Sequence, residues 1–351
     1  MIIDRVLYAL ARQTRLPDRI CVVDDGSTAN YSEIRDHWMS EMPLETELRW
    51  ERQQNAGKRH AQARVFSSNP DADIFVTIDS DTALERHAIA EGLKPFADAR
   101  VQSVAGMETA ANAHANWLTR TSSARSLFFQ ITACGVQSVF GDILVNRGAL
   151  ALYRASVLRS IIQAYIGETF LGVPIKLGDD AALTLFAHGR GRTVQQPSAW
   201  SFTMYPETLS HHFRQWIRWM RATLIRDFWR LRYLPLTSYG WWFTVLNTIT
   251  FLSLTGTPLL IIVFWPQSEI FAATGYLAMS GWAFLTSLRL LSVHRSDESL
   301  PARLGMLFYY PASMLWGNFV LRPLRFYGIF TWWKQGWVTR QEVEVTMTAE
   351  K

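Results

Sequence analysis

Only two cysteines occur in the chain, Cys21 in an apolar run and Cys134 far from it, so no disulfide framework is implied and a reducing compartment suits the sequence. Histidine and cysteine nowhere cluster at metal-ligand spacing, and the pair His211-His212 reads as an interfacial feature rather than a metal site. A signal-peptide pattern is missing: Met1 opens onto an amphipathic helical pattern of Ile2, Ile3, Val6, Leu7 and Leu10. The lack with the largest consequence is of charge. Three stretches, 241–265, 270–288 and 304–321, contain no Asp, Glu, Lys or Arg, and about 20 apolar helical residues suffice to cross a bilayer. Transmembrane helices are therefore predicted over about 241–265 and 270–288. The segment 304–333 is expected to be a broken or paired helix, interrupted near Pro311 and Arg322-Pro323.

Before these runs the chain is rich in cations and indoles. Within 206–235, Arg214, Arg218, Arg221, Arg226, Arg230 and Arg232 interleave with Trp216, Trp219, Phe228 and Trp229, as in an amphipathic helix on an anionic membrane surface. A solvated basic helix is the plainer alternative. The net charge of +5 does not point to nucleic acid, because the basic residues gather beside the hydrophobic runs, where the positive-inside rule accounts for them. That rule places 206–235, the loop with Arg289, Arg295 and Arg303, and the tail 334–351 in the cytosol. The link 266–269 faces out.

Residues 1–205 read as a soluble α/β domain with a mainly parallel sheet. Ile20-Cys21-Val22-Val23 and Ile74-Phe75-Val76-Thr77-Ile78 resemble buried strands, and helical patterns cover 4–13, 30–41, 58–67 and 85–97. Both strands stop at acidic clusters, Asp24-Asp25 and Asp79-Ser80-Asp81, and ligands of such sheets sit beyond the strands' carboxyl ends. A D-x-D pair suits Mg²⁺ or Mn²⁺, which prefer oxygen ligands and share them with a diphosphate; solvated turn aspartates are the alternative. Between the clusters, Asn55-Ala56-Gly57-Lys58-Arg59 offers a glycine turn and two cations for phosphate oxygens. Asp179 and Asp180 precede the helical run 181–187, and serve equally well as helix N-caps or as a general base.

Taken in order, Asp24-Asp25-Gly26-Ser27, Asn55-x-Gly57-Lys58-Arg59, Asp79-Ser80-Asp81, Gly178-Asp179-Asp180 and Gln215-x-x-Arg218-Trp219 resemble the motifs of processive family 2 membrane glycosyltransferases. Thr169-Phe170-Leu171-Gly172-Val173-Pro174, Gly191-Arg192-Thr193-Val194 and Trp337-Val338-Thr339-Arg340 bring the likeness nearest to bacterial class I hyaluronan synthases, within the chitin and cellulose synthase superfamily. The resemblance implies a GT-A (Rossmann-like) domain over 1–205 that takes UDP-GlcNAc and UDP-GlcA and extends a growing polysaccharide. It implies that Asp24 and Asp25, with Lys58 and Arg59, contact the nucleotide, and that Asp79 and Asp81 face the diphosphate through Mg²⁺ or Mn²⁺. Asp180 would be the general base, with Asp179 beside it. Gln215 and Arg218, on one helix face, would reach one site together, Arg218 stabilising the diphosphate while Trp219 stacks on the acceptor sugar, and Trp337 and Arg340 would reach the catalytic mouth; an interfacial Trp/Arg anchor and an ordinary tail are their alternatives. The enzyme would be a multi-pass plasma-membrane protein with its catalytic domain in the cytosol.

Two departures qualify the likeness. The family's first strand and two preceding membrane helices have no counterpart here, so a truncated, poorly active chain is expected. Asn146-Arg147-Gly148 stands where hyaluronan synthases show a Cys-Ser-Gly-Pro-like start, which leaves chitin-type or other single-sugar synthesis open. A non-catalytic nucleotide-sugar-binding membrane protein is the contrasting class.

Overall fold

A computed structural model describes residues 2–264, 269–293 and 298–336. Helix α1 (Ile2–Leu10) buries Val6, Leu7 and Leu10 and leads into β1 (Arg19–Asp25), α2 (Ser32–Glu41), β2 (Glu47–Gln53) and α3 (Lys58–Ser68). Two short strands, β3 (Ile74–Thr77) and β4 (Thr82–Leu84), flank the Asp79–Asp81 turn, and α4 (Ala88–Leu93) follows. The rest of the α/β domain comprises β5 (Val101–Ala110), α5 (Trp117–Phe129), α6 (Gly135–Phe140), β6 (Ala151–Arg154), α7 (Ala155–Ile166), the hairpin β7 (Thr169–Phe170) and β8 (Val173–Pro174), α8 (Asp179–His188), and β9 (Arg192–Thr203).

β1 and β2 pair in parallel from Arg19 opposite Glu47 to Asp25 opposite Gln53. A separate five-stranded sheet has the order β3-β6-β5-β9-β4. The expectation of a mainly parallel sheet is corrected here: β5 runs parallel to β9, but β3 with β6, β5 with β6 and β4 with β9 are antiparallel. An apolar Val/Ile run reports burial on both faces and not direction, so the sequence pattern could not distinguish the two. Phe66, Phe75, Tyr153, Leu158, Tyr165 and Leu183 pack into one core between α3, α7, α8 and the sheet. That core holds the pieces bearing the acidic motifs at fixed separations.

Beyond the domain, α9 (Leu209–Tyr233) occupies the predicted basic segment, capped by the Thr208 hydroxyl, which accepts from the His211 amide. Its arginines do not all face outward. Arg226 and Arg230 are buried, Arg226 against Glu168 and Arg230 between Asp227 and the Leu144 carbonyl, which corrects the reading of the whole row as a membrane-facing stripe. A guanidinium satisfied by carboxylate and carbonyl tolerates a burial that a bare one would not.

Helices α10 (Tyr239–Phe264), α11 (Glu269–Ser287), α12 (Leu300–Trp316) and α13 (Arg322–Ile329) follow. Among the described residues no helix is long and apolar enough to cross a membrane. The expected break at Pro311 is corrected too, since Pro311 lies within α12. Proline denies a hydrogen bond to the carbonyl four residues earlier, and here the Leu307 carbonyl accepts instead from the Ser287 hydroxyl of α11 at 3.4 Å. The interruption falls at a π-helical turn, Gly317–Leu321, just ahead of Arg322-Pro323. The chain then returns along α9, where a Cβ at Gly328 would stand 2.6 Å from that of Met220.

Candidate active site

The Lys58 ammonium, at the first residue of α3, is the hub of the acidic motifs. It lies 2.6 Å from Asp79 Oδ1 and 2.8 Å from Asp179 Oδ2. The turn before it is built by Asp25, whose carboxylate accepts from the Gln53 side chain and from the Ala56 and Gly57 amides, each at 2.8 Å. Gly57 takes φ +93°, a left-handed-side value that favours glycine. Asp24 accepts from the Ser27 amide at 2.8 Å and lies 3.5 Å from Arg52. These two aspartates thus shape the loops at the carboxyl ends of β1 and β2.

Asp179 and Asp180 open α8 after Gly178, which is left-handed (φ +66°) and would carry a Cβ 2.8 Å from that of Ala222 in α9. Gly178 is the cap, so neither carboxylate is spent as the N-cap. Their titrations are driven apart. Burial alone would raise Asp179, but the adjacent Lys58 charge brings it below the ordinary carboxylate range. Asp180 is pushed up to about 6, first by burial and then by the Asp179 charge. A carboxylate with a proton affinity near neutrality is suited to accepting one from a hydroxyl.

Lys58, Asp79, Gly148, Asp179 and Asp180 line one small pocket of about 10 Å³, together with Thr77, Ile78 and Leu183. Lys58→Ala should lower kcat by about 10²-fold, the usual loss for one cation or donor at developing charge. It should also move the acid limb of the pH–rate profile upward, because Lys58 holds the Asp180 pKa down.

Sequence reasoning singled out Arg147 and Gly148 but missed Glu108, Ser126 and Tyr205 beside this pocket. Arg147 donates to Glu108 and to the Ser126 hydroxyl, both at 2.5 Å, and Tyr205 donates to Glu108 at 3.0 Å. One signal was available: Glu108 sits near the carboxyl end of an apolar strand, as the two acidic clusters do. Gly148, next to Arg147, has a plain spatial reason, for a Cβ there would meet Asp79 Oδ2 at 2.7 Å.

Other predicted residues lie apart from the pocket. Arg59 is 4% exposed and turned into the core, donating to Glu168 and to the Tyr165 and Leu177 carbonyls. It braces the Gly178 corner. Gln215, Arg218 and Trp219 stand on α9 and do not line the pocket; the Trp219 ring, 45% exposed, lies 6.1 Å from that of Trp216. Trp337 and Arg340 fall outside the described residues.

The donor set fits a hard divalent cation. Asp79 gives Oδ1 to Lys58 and turns Oδ2 toward the space that a glycine at 148 keeps clear, and Asp81 follows one residue beyond Ser80. Among the described residues no group of three or more His, Cys, Asp or Glu is placed to hold a metal; Mg²⁺ or Mn²⁺ is commonly bound through one or two carboxylates, with phosphate oxygens and water completing the shell. Gly148→Ala should raise the half-saturating Mn²⁺ concentration for activity about tenfold, the scale of a disturbed ligand surround.

Residues 74–288 match the profile described as "Glycosyl transferase family group 2". The chain is also 30% identical over 346 residues to a hyaluronan synthase of Streptococcus pyogenes, covering 97% of this chain and 80% of that protein. The chain belongs to glycosyl transferase family group 2. It is a glycosyltransferase, and the Lys58–Asp180 pocket is its candidate centre. A second relative, an N-acetylglucosaminyltransferase of Azorhizobium caulinodans, is 32% identical over 229 residues, 63% of this chain and 56% of its own length. Among solved structures, a mannosyltransferase of Pyrobaculum calidifontis in complex with GDP-Man and Mn²⁺ matches 94% of this chain and 82% of its own, with a TM-score of 0.55 and 17% identity. That likeness concerns the fold, which is GT-A.

Proposed function

We propose that this family 2 glycosyltransferase is a processive, inverting hyaluronan synthase, using UDP-GlcNAc and UDP-GlcA and passing its product across the plasma membrane. The observation that carries the chemistry is that Asp180 lines one pocket with Lys58 and Asp79, with burial and the Asp179 charge pushing its pKa up to about 6. Asp180 takes the proton of the acceptor hydroxyl as that oxygen bonds to the anomeric carbon and the bond from that carbon to the diphosphate breaks. Inversion follows from attack opposite the leaving group. Lys58 draws the diphosphate. Asp79 and Asp81 would hold Mg²⁺ or Mn²⁺, which when bound neutralises charge on the leaving diphosphate. Asp24 and Asp25 set the loops of the nucleotide side, with Arg59 bracing the corner that carries Asp179. Gln215, Arg218 and Trp219, with Trp337 and Arg340, border the acceptor, where an exposed indole offers a flat face for a sugar ring.

In this reading α10, α11 and the 304–333 segment cross the bilayer, and the catalytic domain is cytosolic. The uncharged runs of the sequence support it. A second reading, polymer from UDP-GlcNAc alone, is favoured by the N-acetylglucosaminyltransferase relative. The deciding experiment supplies membranes bearing the protein with each UDP-sugar alone and with both, in Mn²⁺ or Mg²⁺. Polymer formed only from both donors supports hyaluronan; polymer from UDP-GlcNAc alone replaces it with the second reading. No polymer under any condition removes both.

A further inference from the structure

Helix α5 carries a cation that the chemistry above does not use. Arg125 is half-buried and precedes Ser126, whose hydroxyl receives Arg147 next to Gly148. Its guanidinium carbon lies 4.5 Å from the centre of the Trp216 ring on α9. Trp216 is pinned by its indole N–H, which donates to the Leu321 carbonyl at 3.0 Å, and the Trp219 ring is its neighbour. Arg125 therefore faces the Trp216–Trp219 pair of α9, on a helix whose next residue, Ser126, meets Arg147 beside Gly148.

The surroundings do not compensate its charge. Arg147 is neutralised by Glu108, and Arg120, on the same helix as Arg125, by Glu298. Among the described residues the ionisable groups acting on Arg125 are Tyr205, Tyr310 and a second cation, Arg147, with no carboxylate among them. Buried His212, on α9, is held uncharged by its own burial and by Arg125, its pKa brought down to about 4. Burial lowers Arg125 itself to about 10. Being only half-buried, this guanidinium keeps access to a ligand while one side rests on an indole face, a contact worth about 0.5–2 kcal/mol.

Two kinds of anion belong to the proposed reaction. The donor diphosphate already has Lys58, and Arg125 does not line the pocket that Lys58 occupies. The other anion is the carboxylate of a uronate. Indoles that hold the apolar face of a pyranose, beside a planar fork of N–H donors matching a carboxylate, are the parts such a unit needs. We propose that Arg125 binds the carboxylate of a uronate on the acceptor side, selecting an anionic over a neutral growing chain; this rests on the hyaluronan reading and deepens it.

The test measures binding of hyaluronan oligosaccharides and of uncharged chitin oligosaccharides of equal length to the full chain in lipid nanodiscs. Wild type is expected to prefer the hyaluronan oligosaccharide by about tenfold, the scale of one charge-assisted contact. Arg125→Gln should lose that preference, and Arg125→Lys, which keeps the charge, should retain part of it. Arg125→Met, of similar length, takes the place of the glutamine variant if that one does not fold. A wild type without preference, a neutral variant that keeps it, or an equal loss of both oligosaccharides overturns the proposal. Donor use is read separately: a wild type that polymerises UDP-GlcNAc alone removes the hyaluronan reading, while the binding comparison still decides the role of Arg125.

Discussion

Asp180→Asn abolishes sugar transfer, lowering kcat by about 10²–10⁴-fold, the contribution of a positioned general base, while UDP still binds. The amide fills the space of the carboxylate but has no basic lone pair for the hydroxyl proton. In the wild type the carboxylate must be ionised to work, and burial with Asp179 alongside raises its pKa to about 6. The rate should therefore fall as pH drops through about 6. The sign for stability is opposite to that for activity. A carboxyl raised in the folded state binds its proton more tightly there than in the unfolded chain, so it lowers stability as pH rises through the window from its ordinary value to about 6. At pH 7.5 the asparagine variant should thus melt slightly above wild type. Equal turnover of variant and wild type in single-turnover transfer assays sinks the base assignment; a lower melting point sinks the account of its raised pKa.

Asp24-Asp25 and Asp79-Ser80-Asp81 were legible because each ends an apolar run, and strand ends are where an α/β sheet keeps its ligands, whereas Asp179-Asp180 was legible only as the start of a helix. Lys58 was legible as a cation after a glycine turn. What could not be read was partner choice. Lys58 and Arg59 are consecutive on a helix, so they point about 100° apart; one meets Asp79 and Asp179 in the pocket and the other Glu168 in the core. Only the packing of α3 on α7 decides which does which. Glu108 and Arg147 are 39 residues apart in the chain and meet because β6 is inserted beside β5 in the opposite direction, a reversal that composition does not encode. The same limit explains Arg226 and Arg230: periodicity marked them as part of a cationic face, and the acidic partners that bury them come from distant loops and from α9 itself.

Glu168 yields the second large effect. Its carboxylate, between α7 and β7, accepts from Arg59 at 2.7 Å and from Arg226 at 2.5 Å, with all three side chains 10% exposed or less. Burial would raise its pKa, but Arg226 and then Arg59 overcome that and hold it below the ordinary value. Glu168→Gln leaves two neighbouring buried guanidinium groups without their anion, and breaking a buried pair in this way costs about 3–5 kcal/mol. The loss should spread to catalysis. Arg226 ties α9 to this carboxylate, Arg59 ties it to the Leu177 carbonyl, and Gly178 beside that carbonyl approaches Ala222 of α9 so closely that a Cβ would lie 2.8 Å away. Loosening the hub frees the corner that aims Asp179 and Asp180. Adding Arg226→Met to Glu168→Gln should recover part of the stability by removing one uncompensated cation, but not the activity, because α9 stays untied. In wild type the depressed Glu168 pKa contributes stability that is present above its unfolded value near 4.5 and is lost as pH falls through the lower folded value. Thermal denaturation of the purified protein reads all three effects, and a Glu168→Gln variant that melts with wild type would show that the two arginines find other partners.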